Sequence, residues 1–554
     1  QEVAPLPARL DGARYHVLLP PVAIGVQRPV LDLVSATFRV PGDPRALAWP
    51  VSTLVVRPLG AGWPPLISLA AWLGLLALVW ITFGLFQPAS GRWRWLIYTL
   101  AVAIVLASML DPARAALAPF PFLAAALNAA LLCALSNWRL TGLMNRLGVP
   151  LSSAARGWLL ALVFLSCTLR WGAKLYPGAM PGDVLFHANR FAELIGGRVF
   201  LEAPHRGVPS PYAPGFYIAV APLTLLGAAR PAILVAVGAL LDAISPVAIY
   251  ALVLLVWHWR PSTEAAPALE RQALMAAGLY AFAGGGFLVT WWNFSTHTFA
   301  QWAYLVLLVA GVAAWRCAVF GGRHVFTAIG VLTALQLGVL LGHFSFYLNL
   351  VLVGGYTLAV TWLAWRRARV SRAQWAGLSA TIILAHLLAL LLFYSVYVPT
   401  LVGQASAVGS GADQAVTSSG AAMVAYLVSI MGDGLTEHFG LFPFALAICG
   451  TLILAGQGGR PGRQAGCVVA GATWFVVALF LALPLVSGAN LATRWLMFAF
   501  PVVCAMAPAA AQRLWRRGGA GRVALIVIGL FVVWVSAAIW LGALAWRIRP
   551  PEPF

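Results

Sequence analysis

The sequence predicts an α-helical, multi-pass membrane protein of about fourteen spans, with a small β-rich domain at its N-terminus. Three observations carry this. Of 554 residues, 62% are apolar and 9% charged, against roughly 45–50% and 25% in soluble domains. Apolar stretches of bilayer length, ~20 residues each, recur from Gly62 to the end of the chain. The first 62 residues break that pattern.

Residues 1–62 hold short runs, RYHVLLP, VLDLVSATFRV and WPVSTLVVRPL, rich in β-branched side chains and separated by Pro, Gly and Asp. Such runs read as strands and turns. So short a segment makes half a sandwich, so the reading is the C-terminal part of an extracytoplasmic β domain that begins upstream of Gln1.

After it come spans near 64–86, 93–110, 115–136 and 155–172, with Arg92, Arg94, Arg139, Arg146 and Arg156 on one common side. Basic loops are retained in the cytoplasm, which puts residues 173–212 outside. The later basic loops, 365–372, 458–464 and 512–522, lie between spans near 346–364, 375–398, 437–457, 465–487, 492–511 and 523–545. These loops keep to the cytoplasmic side only if one of the two stretches 213–228 and 231–256 fails to cross. The first is short and holds Pro214, Gly215 and Pro222, so it is expected to be re-entrant or to lie along the outer interface. Both termini are then extracytoplasmic.

The net charge of +20 would suggest nucleic acid in a soluble chain. Here it is spread over the cytoplasmic loops. Lys174 is the sole lysine. The six cysteines show neither a disulfide framework nor zinc-ligand spacing.

The outer segments collect Asp183, His187, Arg190, Glu193, His205, Arg206, Trp291, Trp292, Asn293, His297, His343, Asp413, Asp433, Glu437, His438 and Arg494. Ionisable groups beside a bilayer are costly, and a cluster on one face is a functional-site hypothesis. The sharpest segment is 176–223. After Pro181-Gly182, Asp183 stands at a helix N-terminus where a carboxylate can cap, with His187, Arg190 and Glu193 following at i+4, i+7 and i+10. Those four share a helix face, so an acid, an imidazole and a guanidinium can meet one ligand. GGG at 284–286 reads as close helix packing, since it lacks a P-loop's Lys-Ser/Thr. Asp242, inside the span 231–256, is the one carboxylate suited to a transporter's proton path.

GDVLFHANRF, the Gly-Gly turn after it and PYAPGFYIAVAPLTLLG together resemble the membrane-embedded GT-C glycosyltransferase superfamily, in particular bacterial members whose loop reads Asp, three residues, His, two residues, Arg. LLGHFSFYLNLVL and ATRWLMFAFPVVCAMA resemble the later outer-end helices of such proteins, and residues 35–60 are similar to the tail of an extracytoplasmic β domain found on some of them. The resemblance implies a GT-C-like helical fold and an enzyme of the plasma (inner) membrane of a bacterium. Such an enzyme moves a sugar from a polyprenyl-phosphate donor to a glycan, lipid or protein acceptor at the outer face. It implies the following division: β-rich segment 1–62, accessory helices 63–150, a catalytic module 151–400 with outer loop 173–212, a flexible outer loop 401–436, and C-terminal helices 437–554.

By position, Asp183 would be the general base. His187 would protonate the leaving oxygen, orient Asp183, bind a metal, or serve as a hydrogen-bonded structural group. Arg494, then Arg190 and Arg206, would hold the lipid phosphate, whose oxygens suit a guanidinium fork. Trp291, Trp292, Asn293, His297 and His343 would line the substrate groove. The loop lacks the family's Asp-x-Asp or Glu-x-Asp pair, so no metal ligand is assigned; a divalent cation held by His187, His297, His343 and Asp183 is the alternative. No other cofactor and no nucleic acid are implied. The rival functions are a secondary transporter, a lipid flippase, or a non-catalytic subunit of a membrane complex.

Overall fold

The computed structural model describes residues 66–86, 93–110, 118–176, 179–205, 208–257, 266–403, 420–429, 435, 440–457, 460–486 and 493–545. The expected β domain at 1–62 and most of the loop 401–436 lie outside the described residues.

In chain order the elements are α1 (Leu66–Phe86), α2 (Trp93–Leu110), α3 (Pro119–Arg146), α4 (Ser153–Leu175), α5 (Val184–Ile195), β1 (Leu201–His205), β2 (Val208–Tyr212), α6 (Gly215–Val220) with a 3-10 turn (Ala221–Leu226), α7 (Arg230–Trp257), α8 (Ala266–Phe282), α9 (Gly284–Trp291), α10 (Ser295–Arg316), α11 (Val325–Leu340), α12 (Phe344–Arg366), α13 (Arg372–Leu392) with a 3-10 turn (Tyr394–Tyr397), α14 (Gly420–Ser429), α15 (Leu441–Gly456), α16 (Pro461–Val486), a 3-10 helix (Thr493–Ala499), α17 (Phe500–Arg516) and α18 (Gly519–Ala545). The chain forms two compact units. The first comprises residues 1–77 and 95–120, which include the start of α1 and most of α2. The second, 78–94 and 121–554, holds everything discussed below.

Among the described residues, eleven helices are long and apolar enough to cross a membrane. The expected span 437–457 is the helix α15, of 16 residues like α11, about 24 Å at 1.5 Å per residue, less than the ~30 Å hydrocarbon core. The third shorter one, α2, has an apolar stretch of Ile97–Leu106. Stretch 213–228 is α6 and its 3-10 turn, twelve residues ended by Gly227 at φ +70°. That is about 21 Å of rise, too little to cross. Leu225 and Leu226 on this turn are 90% and 77% exposed, as expected of a segment lying against lipid.

The second unit has its most enclosed helix in α17 and one of its most lipid-facing in α18. In their most apolar stretches, 89% of residues are buried in the first and 11% in the second. Helix α18 turns Val523, Ile526, Leu530, Val533 and Trp534 outward, an arrangement stable only in an apolar solvent.

The bundle has two chemically distinct ends. At one, Ser152 at the start of α4 donates to Glu270 of α8 through Oγ and N (both 2.7 Å), and Tyr250 near the end of α7 donates to the Pro150 carbonyl. Following the helices up and down, this end carries Arg146, Arg156, Arg316, Arg366–Arg372, Arg460, Arg463 and Arg513–Arg522. At the other end meet the C-termini of α4, α9, α11 and α18 and the N-termini of α10 and α12. Met180 N donates to Ala543 O (3.1 Å) and Gly215 N to Leu341 O (2.7 Å). A hairpin unforeseen in the sequence closes this end: β1 and β2 pair antiparallel, Leu201 opposite Tyr212 and Pro204 opposite Pro209. Three prolines that cannot donate to a ladder hide it from pattern reading. The Tyr397 hydroxyl donates to Leu201 O (2.9 Å), and Phe200 stacks on Phe393.

Candidate functional site

The site is a backbone clamp between two loops. Pro181–Asp183 lies against the α9–α10 turn at Trp291–Asn293. Asp183 N donates to Trp292 O (2.9 Å), and Asn293 Nδ2 donates to Pro181 O (2.5 Å). Gly182 sits at φ +57°, where a methyl group would come 2.5 Å from the Trp292 carbonyl oxygen, so only glycine lets the loops approach this closely. Asn293 itself holds φ +54°, a conformation asparagine tolerates better than most side chains. The third member is Lys174, on the last turn of α4. Its Nζ donates to Met180 O (3.1 Å) and Trp291 O (2.5 Å) and lies 5.0 Å from the Trp291 ring.

The clamp fixes Asp183 immediately before α5. Asp183 occupies the N-cap position, yet its side chain makes no cap hydrogen bond. The reading of this carboxylate as a helix cap is therefore not met, and the backbone bond to Trp292 positions the residue. It lies in the field of Lys174, and at a helix N-terminus, where the exposed amides favour negative charge.

The other three residues of the predicted face, His187, Arg190 and Glu193, each have partners within the protein. His187 is 1% exposed. Its Nδ1 shares a hydrogen bond with the Tyr217 hydroxyl (2.7 Å) and a longer one with Tyr212 (3.4 Å), whose hydroxyl also meets Thr296 Oγ1 (3.3 Å). Burial and the neighbouring Tyr212 push the Tyr217 phenol well above its usual range, so it stays protonated. His187 thus holds α5, the hairpin and α6 together, over a core that includes Phe191, Phe216 and Leu234. Arg190 pairs with Glu193 (2.9 Å) and lies over the Phe186 ring, and Glu193 also pairs with Arg198 (3.4 Å).

Of the residues expected to line a groove, Trp291, Trp292, Asn293 and His297 are buried and His343 is half-buried. Trp291, Trp292 and Asn293 are 2%, 6% and 7% exposed and build the clamp. His297 and His343 come together edge to face, 5.1 Å between centroids, and His343 Nδ1 caps α12 by accepting from Ser345 N (3.2 Å). The proposed metal quartet is thereby divided, His187 among tyrosines and His297 with His343. Among the described residues no three His, Cys, Asp or Glu side chains form a metal-binding group. Arg206, Asp413, Asp433, Glu437 and His438 lie outside the described residues, as does the side chain of Arg494, whose backbone begins the 3-10 helix Thr493–Ala499.

Two groups at this end were missed in the sequence. Besides Lys174, Arg170 on α4 forms a buried ion pair with Asp242 of α7. Arg170 Nη1 also donates to Ser166 Oγ and Ala281 O (both 2.8 Å), and Thr290 Oγ1 donates to Asp242 (3.1 Å). A Cβ at Gly286 would lie 2.7 Å from Arg170 Nη2. The GGG break between α8 and α9 therefore makes room for a guanidinium, where helix-on-helix packing was expected. The signal was present: Ser166, Arg170 and Lys174 stand four residues apart on an otherwise apolar helix, a polar stripe that must face inward.

No protein-family profile and no curated protein matches the chain. Among solved structures it is similar to the oligosaccharyltransferase of Archaeoglobus fulgidus in complex with zinc and sulfate, at 14% identity and TM-score 0.43, covering 71% of this chain and 54% of that one. It is also similar to archaeal oligosaccharyltransferase AglB from Archaeoglobus fulgidus with an inhibitory peptide and a dolichol-phosphate (12% identity, TM-score 0.44, 72% and 56% covered). A third is the same organism's enzyme tethered to an acceptor peptide (13%, 0.42, 71% and 56%). The chain spans about half the length of these proteins.

Proposed function

We propose that the protein is a GT-C-type membrane glycosyltransferase that moves a sugar from a polyprenyl-phosphate donor to an acceptor at the extracytoplasmic face of the membrane. The observation that carries the reading is Asp183: a half-buried carboxylate clamped by backbone at the end of the bundle opposite the arginine-rich loops. The described residues include five carboxylates, Asp183, Glu193, Glu202, Asp242 and Glu270. Asp242 is tied to Arg170, Glu270 to Ser152 at the basic end, and Glu193 to Arg190 and Arg198. Glu202 lies on β1 near Tyr397, and Asp183, held by the backbone directly before α5, is the carboxylate we assign as the base. The basic loops, read as cytoplasmic by the positive-inside rule, put it at the outer face.

In this reaction the acceptor hydroxyl oxygen attacks the anomeric carbon, its proton passes to the Asp183 carboxylate, and the bond from that carbon to the phosphate oxygen breaks. The polyprenyl phosphate departs with the bonding pair. Arg190, on the same helix, supplies a guanidinium at this end, with Arg494 and Arg206 as the further candidates. The described side chains around Asp183 do not form a divalent-metal ligand set, so no step is drawn through a metal. The pairing of Asp242 with Arg170 takes away the main support for a transporter.

The test is Asp183→Asn in the full chain, assayed for sugar transfer from a polyprenyl-phosphate donor. The rate should fall by about 10²–10⁴-fold, the usual worth of a general base, with membrane insertion unchanged. Undiminished turnover rejects the assignment.

A further inference from the structure

Helices α10 and α12 end in the same five-residue pattern, Ala-Trp-Arg-x-Ala, at 314–318 and 364–368. Both final alanines take left-handed backbone, Ala318 at φ +50° and Ala368 at φ +54°, and each donates to the tryptophan carbonyl three residues back (3.1 and 2.8 Å). That conformation costs an alanine free energy and persists where the surroundings hold it. Here they do: buried Phe320 lies on Gly377 of α13, where no Cβ would fit, and Trp365 stacks on Trp375 (4.9 Å between centroids). Val370 is buried, and Ser371 and Gln374 close a capping box. Both turns are thus fixed against the beginning of α13, at the arginine-rich end of the bundle.

The two connections carry Arg316, half-buried, and Arg323, Arg366, Arg367, Arg369 and Arg372, all exposed. From Arg271 to Ala412 the chain contains no Asp or Glu. Among the described residues none of the six arginines pairs with a carboxylate. Glu270, the one described carboxylate at this end, is bonded to Ser152 and Tyr250. Exposed rings flank the cluster: Phe326 (84%) at the start of α11, and Trp362 (43%) one turn before the end of α12, with the Arg366 guanidinium 5.7 Å from its centroid. Aromatic rings exposed at helix ends belong at the depth where hydrocarbon gives way to headgroups. We infer that the α10–α11 and α12–α13 connections form a binding surface for the phosphates of anionic phospholipids. The leaflet supplies at that depth the negative charge that these helices lack, and a guanidinium fork matches phosphate oxygens. The inference is independent of the reaction at the opposite end.

The experiment titrates the full chain, in uncharged detergent, with dioleoylphosphatidylglycerol and with dioleoylphosphatidylcholine, and counts retained lipid by native mass spectrometry. The anionic lipid should be held about tenfold more tightly or better, since each cation beside a charged headgroup is worth about fivefold. Arg367→Gln combined with Arg369→Gln, at exposed positions between the helices where folding is not at stake, should weaken its retention by about tenfold or more on the same scale. Arg513→Gln combined with Arg516→Gln removes the same charge at the same end from another helix and should change retention by about twofold at most, less than one cation's worth. Millimolar inorganic phosphate, added at constant ionic strength, should leave the lipid in place. Equal losses in the two double variants would mean a diffuse field with no site, and equal retention of the two lipids would mean no preference for anionic headgroups. Displacement by inorganic phosphate would make this a site for the free anion. Each of these three results overturns the inference.

Discussion

Two cations one turn apart on α4, Arg170 and Lys174, meet opposite fates. Arg170 is buried, bonded to Ser166 of its own helix and to the Ala281 carbonyl, with Asp242 of α7 as its counter-ion. Its guanidinium is structural, locking α4, α7 and the α8–α9 break. Lys174 is partly buried and bonded to two loop carbonyls at the edge of the bundle. The pair deep in the apolar interior matches its charges completely, because an unmatched charge there cannot persist. Along one helix, the deeper cation is tied to a counter-ion and the outer one to the loop that carries Asp183.

The comparison can be broken at each level. The largest expected effect is Arg170→Met, which strands Asp242 in the interior and should destabilise the protein by about 3–5 kcal/mol. Adding Asp242→Leu should recover most of it, as read by thermal melting. Equal melting of the single and double variants would mean the pair is not what locks α4 to α7. Next is Gly182→Ala, which places a methyl group against the Trp292 carbonyl at a left-handed φ. It should cost at least ~1–2 kcal/mol locally and lower sugar transfer by about 100-fold while the helical signal is retained. An unaffected rate would show that the clamp does not set the position of Asp183. The smallest is Asn293→Gly, which loses the bond to Pro181 O and relieves a positive φ. These oppose each other at about 1 kcal/mol or less, so melting should shift little and transfer by a few-fold at most.

Much of the helical frame was legible. Spans expected at 64–86, 155–172, 231–256 and 523–545 correspond to α1, α4, α7 and α18, because bilayer-length apolar runs have one stable backbone solution. The short run holding Pro214 and Pro222 is too short to cross, as its length and prolines foretold. Asp183 was singled out by its place after Pro181-Gly182. The roles around it were not legible: helical periodicity put His187 and Arg190 on one face with it, yet His187 turned into a cage of tyrosines and Arg190 onto Glu193. Trp291 and Trp292 looked like groove walls and became the backbone against which the loop docks. Periodicity says which residues share a side of a helix and is silent on what that side meets.

The sequence by itself determined that this is a bundle of apolar helices with arginine gathered at one end, since solvent transfer acts on each segment independently of its neighbours. Only the tertiary structure decided which groups meet, because charge matching in a low-dielectric interior depends on partners distant in sequence: Arg170 with Asp242, and Lys174 with the loop that carries Asp183.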